Sequence, residues 1–144
     1  MKSLFLFAFF LLTVGACRAA EDICVRHVVV PGYPRLARMA RLQGSVTIEV
    51  EVGTDGTVTS TKASAASKLL ARASEENVRL WTFCAPAATG SLASSHTTIT
   101  YTYKLEGNEE YYDPPPKVVL DLPSRVEITS HPPEAQPSRT KTLQ

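Results

Sequence analysis

No stretch of this sequence reaches the roughly 20 consecutive apolar residues that a membrane-spanning helix needs. The longest unbroken apolar run covers residues 4–12. Neither sign of charge dominates, since fifteen Lys and Arg face fourteen Asp and Glu. That balance offers no global attraction to nucleic acid or to a cationic partner. Catalytic signatures are missing too: there is no nucleophile elbow, phosphate loop or metalloprotease helix. Three scattered histidines, the serine-rich residues 91–95 and the pair Glu75-Glu76 read as solvated surface. A non-enzymatic protein without a cofactor is the expectation. Zinc-type ligands occur at Cys24, His27, Cys84 and His96, but the second pair lacks a short ligand spacing. Thr54-Asp55-Gly56-Thr57 lacks the series of oxygen ligands that a calcium loop carries, and reads as a turn.

The N-terminus carries a clear signal. Lys2, the apolar run and the following Thr13-Val14-Gly15-Ala16 have the form of a secretory leader over residues 1–20. A retained short anchor is the competing reading. Val14-Gly15-Ala16-Cys17 resembles a lipobox, in which Cys17 would carry lipid. Ordinary cleavage after Ala16, Ala19 or Ala20 is the alternative. With Cys17 either in the leader or under lipid, Cys24 and Cys84 remain as an even pair in an oxidising compartment. A bridge between them closes a loop of about 60 residues, worth about 4 kcal/mol. Two free buried thiols are the other reading.

Residues 21–32 read as an extended entry segment, with a short strand at Val28-Val29-Val30 stopped by Pro31-Gly32. Pro34 suits the first turn of a helix over 35–43, with Leu36, Met39 and Ala40 on one face and Gly44 as its C-terminal cap. Residues 45–52 alternate strictly: Val46, Ile48, Val50 and Val52 point one way, polar residues the other. Asp55-Gly56 signals a hairpin returning along 57–63. A second helix over 67–80 follows, capped by Ser64 or Ser67, with Leu70, Ala73, Asn77 or Val78, and Trp81 inward. A third strand over 97–105 carries Ile99, Tyr101, Tyr103 and Leu105 on one face. Most of the ten prolines lie beyond Glu110. There a polar linker leads to two strand-like runs, 117–122 and 125–129, and residues 131–144 read as a disordered tail.

Tyr33-Pro34, Ala37, Gly44, the alternating valines, Asp55-Gly56 and Trp81-Thr82-Phe83 occur in a set order. That ordered set resembles the C-terminal domain of TonB-type energy transducers, over residues 33–105. The resemblance implies an α+β fold: a three-stranded antiparallel sheet with two helices on one face, here followed by an extension with short strands. The domain is expected over 33–106, with linker and extension over 107–130. The resemblance also implies a job, which is to grip an extended segment of an outer-membrane receptor by strand addition. By analogy the docking edge is Thr98, Ile99, Thr100, Tyr101, Thr102 and Tyr103. The longer membrane helix and Pro-rich spacer of a transducer have no counterpart between leader and Tyr33, so a stand-alone exported form is expected.

Two further groups stand out. Arg35, Arg38 and Arg41, with Arg26, have no acidic residue between them. They read as a solvated helix face, or as a contact for acidic lipid, peptidoglycan or an acidic segment. Tyr101 and Tyr103 suit core packing better than ligand stacking. The expected function is a periplasmic or lipid-anchored interaction module that binds an envelope protein, such as an outer-membrane TonB-dependent receptor. The alternatives are a structural protein whose tail, at 117–122, closes its own sheet edge, and a peptidoglycan binder.

Overall fold

The computed structural model describes residues 23–84, 94–107 and 114–133. The order of elements is β1 (Val25–His27), α1 (Arg35–Met39), β2 (Gly44–Val52), β3 (Val58–Ala65), α2 (Lys68–Val78), β4 (Thr82–Phe83), β5 (Ser95–Leu105), β6 (Lys117–Asp121) and β7 (Arg125–Ser130). The leader, Cys17 and the tail from residue 134 lie outside the described residues.

Strand β2 forms for the reason its pattern gives. Val46, Ile48, Val50 and Val52 are buried, while Ser45, Thr47 and Glu49 face solvent. The Asp-Gly turn is held by Asp55, whose Oδ1 accepts the Thr57 N–H at 3.0 Å and the Thr57 hydroxyl at 2.7 Å. The Thr57 backbone bond, followed by the hydroxyl bond, holds the Asp55 carboxyl below its usual range. Gly56 sits at φ 85°, a conformation open to glycine without a steric penalty. The chain then returns as β3, antiparallel to β2.

Helix α2 starts at Ser67, whose side chain accepts the Leu70 N–H. Its buried stripe is Leu70, Ser74 and Val78, with Ala73 and Asn77 half-buried. A core serine was not expected from the pattern. It is satisfied by donating to Leu70 O at 2.9 Å and by pairing with the Tyr103 hydroxyl at 2.8 Å. Asn77 is a second polar hub. Its Oδ1 accepts from Trp81 Nε1 at 3.1 Å and from the Tyr101 hydroxyl at 2.9 Å, and its Nδ2 donates to Val29 O. Trp81, Phe83, Tyr101 and Tyr103 are all at most 1% exposed and form the aromatic centre of the core.

Helix α1 departs from expectation. It ends at Met39, not near residue 43, and the left-handed residue after it is Arg41 (φ 52°) rather than Gly44 at the cap. Its inward face is also different: Ala37 and Arg38 are buried, while Leu36 and Met39 are 65% and 60% exposed. The short strand of the entry segment falls at Val25–His27, not 28–30, and pairs with β4 in a small second sheet. Cys24 and Cys84 flank that pair and are joined by a disulfide.

The larger correction concerns the sheet. It has five strands, in the order β3-β2-β5-β7-β6. The expected three-stranded antiparallel unit is present as β3-β2-β5. The extension does not stand apart from it. Strand β7 adds to β5 in parallel, and β6 pairs antiparallel with β7. Val126 and Ile128 enter the same core as Tyr101 and Tyr103.

Candidate functional site

The expected docking edge is the side of β5 facing away from β2. Thr100 donates its N–H to Ser124 O at 2.8 Å, and Glu106 donates to Ser130 O at 2.9 Å. Even-numbered residues of β5 therefore turn their backbone groups away from β2, and β7 takes them from Thr100 to Leu105. Of the six edge residues, Thr100, Tyr101, Thr102 and Tyr103 lie within this paired stretch. The side chains of Ile99, Tyr101 and Tyr103 are buried. An edge open along 97–105 is thus not what the fold presents. The strand that closes it is Arg125–Ser130, and 117–121 pairs one place further out.

Two side-chain contacts fasten this cover. Lys104 Nζ lies 2.9 Å from Glu127 Oε2 on the open face of the sheet. Arg38, expected on a basic face with Arg35 and Arg41, is only 9% exposed and reaches Ser130 Oγ at 3.5 Å. Burial of Arg38 divides the arginine group, leaving Arg35 and Arg41 on the surface. No periodicity reading would have found the Arg38 contact, because its partner lies 92 residues away.

Ahead of Thr100, β5 has no neighbour on this side among the described residues. Two residues, His96 and Thr98, turn their backbone groups toward that gap. Beside it lies a groove of about 780 Å³, lined by Glu49, Glu51, Lys62, His96, Thr98 and Pro123. Glu51 Oε1 accepts from Ser94 Oγ at 2.9 Å, and Lys62 stands 4.0 Å from Glu49. The latter pair is largely exposed and contributes little to stability. Cys24 and Cys84 are consumed by their mutual bond, and no cluster of metal-binding side chains occurs among the described residues.

The tyrosines behind the edge are core groups. Burial, followed by the neighbouring Tyr103, pushes Tyr33 up to about 12, partly offset by Arg38. Burial likewise raises Tyr101 and Tyr103, with the Ser74 hydrogen bond opposing it at Tyr103. The Tyr33 hydroxyl donates to Leu42 O, and its ring meets that of Tyr103 edge-on at 5.2 Å.

The family model described as Gram-negative bacterial TonB protein C-terminal matches residues 29–105. The chain belongs to the TonB C-terminal family. Comparison with curated proteins and with solved structures gave no match. Membership makes the domain a TonB-like interaction module of the bacterial envelope. The matched span ends where β5 ends, and β6 and β7 lie outside it. Among the described residues, no helix is long and apolar enough to cross a membrane.

Proposed function

We propose that the protein is a self-capped TonB-like interaction module of the envelope. In this reading its C-terminal hairpin occupies the edge at which an extended segment of an outer-membrane transport protein would add as a strand. The parallel pairing of β7 with β5 from Thr100 to Leu105 carries the reading. An incoming segment gains that edge by displacing β7, starting from the open backbone groups of His96 and Thr98. The role is one of binding, with no catalytic step. A permanently closed, purely structural module is the second reading, favoured by the complete burial of Val126 and Ile128.

Crosslinking in cells tests this. A photoreactive side chain at Thr98 is expected to trap a defined segment of an envelope transport protein. One at Thr102, beside the covering strand, is expected to do so only weakly. Loosening the hairpin with Ile128→Ala should raise the yield at Thr102. If loosening leaves both yields at background, displacement of the cover is not how this protein works.

A further inference from the structure

The two outer edges of the sheet are treated very differently. At β3, the side chain of Glu75 accepts the Ala63 N–H at 3.1 Å, and Arg79 binds Thr61 Oγ1 at 2.8 Å. Side chains of α2 and its C-terminal cap thereby cover part of that edge, one of the ways a sheet avoids unwanted pairing. Strand β6 has no such closure among the described residues. Val119, Leu120 and Leu122, on or next to β6, are exposed at 49%, 37% and 40%.

The register fixes what β6 offers. Even-numbered residues of β7 face β5, so Arg125, Glu127 and Thr129 turn their backbone groups toward β6. Their partners are Asp121, Val119 and Lys117. The backbone N–H and C=O groups of Val118 and Leu120 are therefore the ones directed outward. The sequence Lys117-Val118-Val119-Leu120-Asp121 is also its own complement when read antiparallel.

We propose that β6 pairs with β6 of a second copy about a two-fold axis at Val119, making one continuous ten-stranded sheet. In this register Val118 faces Leu120 of the partner copy and Leu120 faces Val118, and these are the pairs whose backbone groups point outward. Val119 meets Val119 on the axis. Lys117 stands opposite Asp121 at both ends, so the two charged pairs are complementary. A register moved by two residues loses both charge pairs, and one moved by a single residue also misaligns the backbone donors. The interface is isologous and small, which makes a weak, concentration-dependent dimer.

Cysteine crosslinking and charge reversal test the register on the full protein. On the axis, the two Val119 Cα atoms of a non-hydrogen-bonded pair lie about 4.5 Å apart, within the range a disulfide spans. Val119→Cys is expected to give a covalent dimer under non-reducing conditions, whereas Leu122→Cys, also exposed but off the axis, gives none. In the Val119→Cys background, Lys117→Asp alone or Asp121→Lys alone puts like charges at both ends and lowers dimer yield about tenfold. Mixing the two charge variants restores it, because each then meets its opposite. Equal crosslinking by Val119→Cys and Leu122→Cys, or no recovery on mixing, overturns the proposal.

Discussion

Whether the C-terminal hairpin is a separable cover or an inseparable part of the core is decided by how it opens. Ile128 is fully buried on β7, between Tyr103 on β5 and Val118 on β6. Truncating it to alanine removes a core side chain at a cost of about 2–5 kcal/mol. If the hairpin lifts off as a unit, that whole cost falls on the lifting equilibrium. Amide exchange then accelerates roughly 30- to 4,000-fold at protons that β7 alone protects. The reporters are the Thr100 and Glu106 amides, bonded to Ser124 O and Ser130 O. The Ile99 and Tyr101 amides point toward β2 and serve as internal controls. Exchange measured by NMR on Ile128→Ala should show the first pair accelerating far more than the second. Equal acceleration of all four would mean that hairpin and platform open together, and the displaceable cover would be refuted.

Other expectations follow from contacts already described. Replacing Cys24 and Cys84 by serine frees a loop of 60 residues. It is expected to cost about 4 kcal/mol and to lower Tm by on the order of 20 °C, read by thermal melting. Glu75→Ala should leave the fold intact, cost about 1 kcal/mol and speed exchange of the Ala63 amide. Tyr33, Tyr101 and Tyr103 hold their protons more tightly folded than unfolded. Their contribution to stability is thus fully present below pH 10 and declines above it, with the Tyr33 part lost as pH rises through about 12. Phenolate absorbance followed against pH, together with denaturant melts, checks both the direction of the shifts and the sign of the stability change.

The platform was legible in the sequence where a pattern ran long enough to fix a face. Val46 to Val52 alternates through four apolar positions, and Asp55-Gly56 fixes the turn that follows, so β2 and its hairpin appear as expected. Helix α1 spans only five residues. One turn cannot distinguish the face holding Leu36 and Met39 from the face holding Ala37 and Arg38. The choice is made by where Tyr33 and Leu42 anchor its two ends. The cover was visible only as a local strand. Val126, Ile128 and Ser130 alternate with Arg125, Glu127 and Thr129, which announces one buried face. Nothing local names β5 as its neighbour or makes the pairing parallel, since that follows from the packing of residues some 25 positions apart. For the same reason nothing local to α1 reveals that Arg38 is buried beside Ser130.

The chain order of the two central strands sets a chronology. As the chain emerges N-terminus first, β5 is complete at Leu105 before the strand that seals it begins at Arg125. For that interval the newborn platform is an unfinished sheet, open to whichever ribbon arrives first. The chain's own ribbon has the advantage of its tether, which holds it at high local concentration, and a displacing segment must overcome that advantage.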